Sequence, residues 1–154
     1  MPKRSKFILN ARRNFRVRNF GKNGFINLAE NLDRDTSSFE PYVVGTTPGV
    51  IFKDLLIQGI RVGESADAAP GHIRAFDVRT GERKWIFHTI PQPGEFGYET
   101  WSDKDAWKKL GGANNWAGMS LDEERGIVYV PTGTVSGDFY GGFRKGQNLF
   151  GNSL

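Results

Sequence analysis

Cysteine is absent from the 154-residue sequence, and histidine and methionine occur only twice each. Without cysteine the chain has no disulfide and no thiolate metal site, so a bound metal must be a hard cation on oxygen ligands. No apolar run approaches the roughly 20 residues that span a bilayer, and the first ten residues lack the apolar stretch of a signal peptide. Neither His72 nor His88 stands in a nucleophile motif with serine or cysteine, so triad hydrolase chemistry has no support.

Glycine and aromatic residues, in contrast, are abundant: the chain has 20 Gly, 12 Phe and 4 Trp. This combination is typical of short strands joined by tight turns rather than of helices. The composition therefore predicts an all-β fold.

Positive charge is concentrated at the N-terminus, where eight basic residues precede Glu30, the first acidic residue. A basic arm of this kind can bind nucleic acid or an anionic membrane, but little else in it would read bases. We treat residues 1–30 as a basic, partly divergent segment. We keep nucleic-acid binding as an alternative and expect no nucleic acid partner. The eight basic residues are Lys3, Arg4, Lys6, Arg12, Arg13, Arg16, Arg18 and Lys22.

Residues 49–88 carry the pattern of one four-stranded antiparallel meander. Four strand-like runs are separated by polar turns, which predicts two hairpins in sequence. We therefore expect one complete sheet unit at about residues 45–90. The runs lie at 49–52, 55–58, 72–77 and 83–88.

A long connection follows at residues 89–112, with several prolines and glycines and a short helix pattern at 102–110. Loops of this length often carry function. A new hairpin pattern, with strand-like runs at 116–121 and 127–131, then opens a second meander, which we expect to be truncated within 113–154. The acidic residues of the connection, which we interpret as solvated, are Glu99, Asp103 and Asp105.

A turn motif at residues 75–85 closes the first meander. Asp77 opens the turn, Gly81 stands where a positive φ is needed, and Trp85 follows four residues later. A weaker copy lies at 8–14. A repeating unit of this size predicts a β-propeller built of blades.

The motif Ala-x-Asp-x-x-Thr-Gly-x-x-x-Trp at 75–85 resembles the tryptophan-docking motif of eight-bladed dehydrogenases that use pyrroloquinoline quinone (PQQ). Residues 111–116, Gly-Gly-Ala-Asn-Asn-Trp, resemble the segment that supplies the tryptophan under PQQ. Residues 45–154 as a whole resemble the membrane-bound glucose dehydrogenase branch, whereas residues 1–19 depart from it. The resemblance implies that residues 31–154 form a partial propeller of about two four-stranded antiparallel blades.

The resemblance also implies a PQQ site. A planar quinone with three carboxylates needs an aromatic floor and cationic or hydrogen-bonding partners. Trp116 is the candidate floor, with a core tryptophan as the alternative. Asn114 would aim its amide at the cofactor edge, unless it only forms a turn. Thr46 would hydrogen-bond PQQ, with Thr47 as the alternative register, and Arg61 would pair a PQQ carboxylate or face water.

A calcium ion beside the quinone is implied as well. Glu64 corresponds to an acidic calcium ligand of the family, although a glutamate in a loop is usually only solvated. At the second ligand position the alcohol dehydrogenases have asparagine, which Thr134 or Ser136 replaces here. A hydroxyl is a weaker calcium ligand than an amide carbonyl, so we expect looser metal binding or compensation by backbone carbonyls.

The implied parent activity is a periplasmic dehydrogenase, with membrane association as an option, that oxidises a sugar or alcohol hydroxyl and passes electrons to a quinone or cytochrome. The family's proton-abstracting aspartate lies in a His-Asp-Leu-Trp-Asp-like stretch, which we expect beyond Leu154. We therefore assign no catalytic residue and expect the chain to be a fragment that needs the remaining blades. A non-catalytic propeller scaffold is the alternative: the hydroxyls at the second metal position favour it and the segment around Trp116 disfavours it.

Overall fold

The structure is a computed structural model, which describes residues 5–7, 9–10, 15–35, 37 and 42–154. These residues form short antiparallel strands with a single four-residue α-helix, so the all-β prediction is confirmed. No helix in these ranges is long and apolar enough to cross a membrane. The strands lie at Ser5–Phe7 (β1), Leu9–Asn10 (β2), Phe15–Arg16 (β3), Phe25–Asn27 (β4), Val43–Val44 (β5), Val50–Phe52 (β6), Leu55–Gln58 (β7), Arg61–Val62 (β8), Ile73–Asp77 (β9), Arg83–Phe87 (β10), Ser120–Asp122 (β11) and Ile127–Tyr129 (β12).

The largest sheet has four strands in the order β10-β9-β7-β6. β6 and β7 form a hairpin that turns at Lys53, whose φ of 53° lies in the left-handed region. β7 then pairs with β9, and β9 pairs with β10 across one irregularity between Arg83 and Trp85. The meander predicted for residues 49–88 is therefore confirmed.

The turn between β9 and β10 is held by local hydrogen bonds. Asp77 Oδ1 accepts from the N–H groups of Arg79 and Thr80 at 2.9 and 2.8 Å. Gly81 adopts a φ of 75° and donates its N–H to the Asp77 carbonyl at 2.8 Å. The Thr80 carbonyl accepts from Gly21 N–H at 2.7 Å, so the N-terminal segment lies against this turn.

Between β7 and β9 the chain leaves the sheet, and β8 pairs with β5 instead. The sequence did not predict this pair, because strands of two residues show no readable alternation. The main core lies beside it and includes residues from the N-terminal segment as well as the blade. Its buried members are Leu28, Leu32, Val43, Ile60, Val62, Ala68, Ala69 and Phe76.

Arg74 fastens the N-terminal segment to the central sheet. Its side chain is 1% exposed. It donates to the carbonyl of Glu30 at 2.8 Å and to that of Leu28 at 2.6 Å. Burial lowers the pKa of Arg74 to about 10, which leaves it charged at neutral pH.

A second hairpin, β11–β12, pairs from Ser120↔Tyr129 to Asp122↔Ile127. Its first strand begins at Ser120 rather than at Trp116, because the Asn115 side chain closes a turn onto the Gly118 carbonyl at 2.5 Å. In the connection before it, a 3₁₀ helix spans Tyr98–Thr100 and α1 spans Ala106–Lys109, which is shorter than the predicted helix. The repeat expected at residues 8–14 lies largely outside the described residues.

An open apolar cavity of about 480 Å³ lies beside β10 and the β11–β12 hairpin. Trp85, the tryptophan of the turn motif, lines it and remains 39% exposed. Its lining residues are Ile57, Ile73, Trp85, Ile86, Phe87, Val128, Val130, Thr132, Phe150, Ser153 and Leu154.

Candidate functional site

A buried segment at residues 111–115, which we call the inner strap, organises the candidate site. All five of its residues are buried. On one side its backbone bonds to residues 69–71, and on the other to residues 133–136. Ala113 N–H, for example, donates to the Thr134 carbonyl at 2.7 Å. The strap therefore runs between two backbone segments as an inner strand would.

The two glycines of the strap are needed for this close approach. A Cβ at Gly111 would overlap the carbonyl of Ala68. Gly112 has a φ of 70°, and a Cβ there would lie 2.5 Å from the backbone nitrogen of Ser136. Glycine at both positions thus fixes the path of the residues that follow.

The strap delivers Asn114 and Trp116 to a polar cavity of about 380 Å³. Three separate stretches of sequence line it, near residues 61–64, 114–116 and 133–138. Five of the seven residues predicted for cofactor or metal binding therefore share one cavity. The lining side chains are Arg61, Glu64, Asn114, Trp116, Thr134 and Asp138, and residues 62, 63 and 133 complete the wall.

Trp116 presents an exposed indole to this cavity, with 56% of the residue accessible. Its carbonyl accepts from Thr46 Oγ1 at 3.0 Å. Gly133 lies beside the ring, since a Cβ there would be 3.7 Å from the indole nitrogen. Thr46 is not part of the cavity wall. In this structure its hydroxyl holds the backbone of Trp116.

Asn114 is nine-tenths buried, and its amide nitrogen donates to the Ile60 carbonyl at 3.1 Å. Because a carbonyl can only accept, this bond fixes which end of the amide faces Ile60. The other end, Oδ1, accepts no hydrogen bond from the described residues. Asn114 therefore offers the cavity a positioned amide oxygen.

Two carboxylates face the cavity. Glu64 lies 3.7 Å from the Arg61 guanidinium, and both side chains are about half exposed. Burial, followed by the negative charge of Glu64, raises the pKa of Asp138, and the positive charge of Arg144 opposes this shift. Arg144 also donates to Thr134 Oγ1 at 3.0 Å.

Ser136 lies outside the cavity wall. It is fully buried, and its hydroxyl accepts from Gly111 N–H at 2.9 Å. The geometry thus gives it a role in holding the inner strap. Asp138 lines the cavity although sequence reasoning did not assign it to the site. Its sequence signal was its place in residues 138–142, a stretch that resembles the glucose dehydrogenase branch, but a carboxylate in a glycine-rich loop is usually only solvated.

Among the described residues, no three His, Cys, Asp or Glu side chains come together as a metal site. A cation in the polar cavity would therefore need amide, hydroxyl or backbone oxygens beside the carboxylates, which calcium accepts. Neither histidine lines the cavity. His72 is buried and accepts from Thr89 N–H at 3.1 Å, and His88 contacts Glu95 at 2.7 Å.

Comparison with known proteins places this geometry in a family. The profile described as "PQQ: Glucose/ethanol/alcohol dehydrogenase, beta-propeller domain" matches residues 4–154. The quinate/shikimate dehydrogenase (quinone) of Acinetobacter baylyi is 33% identical over 151 residues, which covers 88% of this chain and 16% of that protein. Quinoprotein glucose dehydrogenase A of Acinetobacter calcoaceticus is 31% identical over 143 residues, with the same two coverages of 88% and 16%.

A solved structure, the quinohemoprotein alcohol dehydrogenase of Pseudomonas putida, matches the fold with a TM-score of 0.66 at 21% identity. The match covers 92% of this chain and 20% of that one. The chain spans about 16% of the length of the curated relatives named above. The family match begins at residue 4 and so includes most of the basic N-terminal segment. The chain belongs to the PQQ-dependent glucose, ethanol and alcohol dehydrogenase family, of whose β-propeller domain it forms a part.

Proposed function

We propose that the polar cavity holds PQQ and a calcium ion. We further propose that the chain contributes this site to a dehydrogenase that oxidises a sugar or alcohol hydroxyl. One observation carries the proposal: Arg61, Glu64, Asn114, Trp116 and Thr134 come from three distant stretches of sequence and line one cavity. A cation, two kinds of oxygen donor and an exposed aromatic face are what a flat, polyanionic quinone and its metal require.

The residues fit these groups in chemical type. The indole of Trp116 is accessible and its backbone carbonyl is held by Thr46, so the ring can stack on a planar cofactor. The Arg61 guanidinium can pair with a carboxylate of the cofactor. Glu64, Thr134 and the unbonded amide oxygen of Asn114 supply hard oxygen atoms suited to calcium.

When bound, PQQ supplies a carbonyl that accepts hydride, and calcium polarises that carbonyl. The residues of this chain orient the ring, neutralise its carboxylates and fix the metal beside it. The proposal includes electron transfer to a quinone or cytochrome and a periplasmic setting, as the resemblance implies. The remaining blades are proposed to supply the proton-abstracting aspartate.

The test is a titration of the chain with PQQ in the presence of calcium. Quenching of tryptophan fluorescence monitors the binding. Trp116→Ala should weaken binding by about fivefold or more, since a stacked aromatic face contributes roughly 1 kcal/mol or more. The control is Phe96→Ala, which removes an exposed aromatic residue outside the polar cavity. Because Trp116→Ala removes the fluorophore next to the site, the PQQ affinity of that variant is measured by equilibrium dialysis instead.

Equal PQQ affinity of the three proteins would reject Trp116 as the floor. Failure of the unaltered chain to bind PQQ, with or without calcium, would reject the proposal that the residues of this cavity are enough to hold the cofactor. Trp101 is not a suitable control, because it is 2% exposed and donates from its indole nitrogen to the Leu149 carbonyl at 2.6 Å. Replacing it would disturb the fold rather than the site.

A further inference from the structure

Asp138 is a carboxylate of the polar cavity that no local contact accounts for. It is partly buried and lines the same cavity as Glu64. It forms no hydrogen bond or ion pair with the described residues, although Glu64 and Arg144 both lie close enough to act on its charge. The two carboxylates repel each other. Glu64 is paired with Arg61 at 3.7 Å, whereas Asp138 has no ion-pair partner among the described residues.

The amide oxygen of Asn114 gives an independent indication of a ligand. Asn114 is 9% exposed, its nitrogen is fixed on Ile60, and its oxygen accepts no hydrogen bond from the described residues. This oxygen is not among the fully buried atoms that lack a partner, so it is accessible and can accept from or coordinate a ligand in the cavity. Together with Thr134 and the two carboxylates, the cavity presents four oxygen-bearing side chains.

Arg144 supplies the positive charge at this end of the cavity. Its Nη2 donates to Thr134 Oγ1 at 3.0 Å, which uses one of the oxygens just described. Its Nε is buried without a hydrogen-bond partner. The guanidinium of Arg144 thus lies near Asp138 and Thr134 with one of its N–H groups unbonded. A bound cation would compete with it for the same oxygens.

We propose that Asp138 is a second carboxylate ligand for the cation that Glu64 binds, and that Arg144 is a competing internal cation whose bond to Thr134 breaks when the metal binds. This inference rests on the proposed function, because it adds a ligand and a competitor to the proposed metal site. It predicts opposite effects for two neighbours in the same loop. Removing the carboxylate weakens metal binding, whereas removing the guanidinium strengthens it.

The test is a titration of the 154-residue chain with Tb³⁺. This ion binds to the same oxygen ligands as Ca²⁺, and it emits light when a nearby tryptophan is excited. Trp116 lines the same cavity, so the emission reports occupancy without any enzymatic turnover. Calcium is then added to displace Tb³⁺ and to give the calcium affinity. Circular dichroism of each variant checks that its fold is retained.

Asp138→Asn and Glu64→Gln should each weaken Tb³⁺ binding about tenfold, because affinity of such sites follows the number of charged ligands. Arg144→Met should strengthen it several-fold. The control is Asp105→Asn, which removes a carboxylate paired with Lys108 on the surface at 2.8 Å and should change nothing.

The outcomes separate this inference from the proposed site. Weaker binding in Glu64→Gln with unchanged binding in Asp138→Asn overturns the role of Asp138 and leaves the metal site standing. Weaker binding in both Asp138→Asn and Arg144→Met overturns the inference too, since the loop would then act only as a support. Sensitised emission that is absent from the unaltered chain, or equal in all variants, rejects the metal site itself.

Discussion

Arg74 is a buried charged residue that joins two parts of the fold. Its guanidinium bonds two carbonyls of the N-terminal segment from a fully buried position. We expect Arg74→Lys to lower the free energy of unfolding by about 2 kcal/mol or more, because the more strongly hydrated ammonium costs more to bury and lacks the fixed fork of donors that reaches both carbonyls. Urea denaturation measures this loss.

The matched control for Arg74→Lys is Arg79→Lys. Arg79 forms an exposed ion pair with Asp54 at 2.8 Å. Such surface pairs contribute roughly 0–1 kcal/mol, so the exchange should leave stability nearly unchanged. Equal losses in the two variants would show that the bonds to Leu28 and Glu30 do not stabilise the fold.

His72 makes stability depend on pH. Burial, with help from the nearby charges of His88, Arg34 and Arg74, lowers the pKa of His72 well below its usual range. In the unfolded chain the imidazole binds a proton near pH 6.5, while the folded chain does not. The free energy of unfolding is therefore highest above about pH 6.5 and falls as the pH drops below it, by up to about 1.4 kcal/mol per unit.

His72→Asn isolates this effect. Asparagine keeps an acceptor for Thr89 N–H but does not titrate. Thermal unfolding between about pH 7 and 5 should show a shallower loss of stability in the variant than in the unaltered chain. Parallel curves for the two proteins would mean that His72 takes up its proton in the folded state.

The inner strap is the element on which the candidate site depends. Gly112→Ala would place a Cβ 2.5 Å from Ser136 N and 2.8 Å from Thr134 O. Gly94→Ala is a control with the same kind of strain: Gly94 has a φ of 89°, but a Cβ there meets nothing within 4 Å. The control should cost about 1 kcal/mol for its left-handed backbone.

Gly112→Ala should add a further 1–3 kcal/mol or so to that cost, because the overlap is with backbone that cannot move freely. It should also weaken PQQ and Tb³⁺ binding, since Asn114 lies in the strap and Trp116 follows it. Urea denaturation and the two binding titrations measure these effects. Similar stability and binding in both variants would show that the backbone of residues 133–136 can shift to accommodate the Cβ without loss of stability.

At the level of elements, the sequence predicted what short-range patterns determine. The hairpin at Lys53 and the Asp77 turn were readable, because apolar runs and turn residues occur at fixed spacing. The β5–β8 pair was not, since it joins two-residue strands far apart in sequence. Trp116 was expected in a strand, yet Asn115 closes a turn there through tertiary hydrogen bonds.

The site residues came from a resemblance, and the packing of the strap decides which of them meet. Thr134 and Ser136 are two residues apart, which would place them on the same face of a regular strand. The segment is irregular here, so Thr134 faces the polar cavity while Ser136 bonds Gly111. The sequence alone does not show which of the two hydroxyls faces the cavity, because the residues are so close along the chain. Asp138 was missed for a related reason: only the fold brings it near Glu64.

At the scale of the whole molecule, a polar and an apolar cavity of the described residues share one segment. Val128, Val130 and Thr132 line the apolar cavity, and the next residues, Gly133 and Thr134, line the polar one. The polar cavity carries the proposed chemistry. The apolar cavity exposes aromatic side chains beside β10, which is the edge strand of the four-stranded sheet.

An exposed apolar cavity next to a strand edge promotes association. We expect the purified chain to self-associate as its concentration rises, and Trp85→Lys to reduce this, because a lysine would place charge inside the cavity at that edge. Phe139→Lys is the control, since Phe139 is 95% exposed but lies outside the apolar cavity. Sedimentation velocity over a range of concentrations gives the mass of each protein, and circular dichroism confirms that each is folded. An equal reduction by both lysines would indicate that general surface hydrophobicity, rather than the cavity beside β10, drives the association.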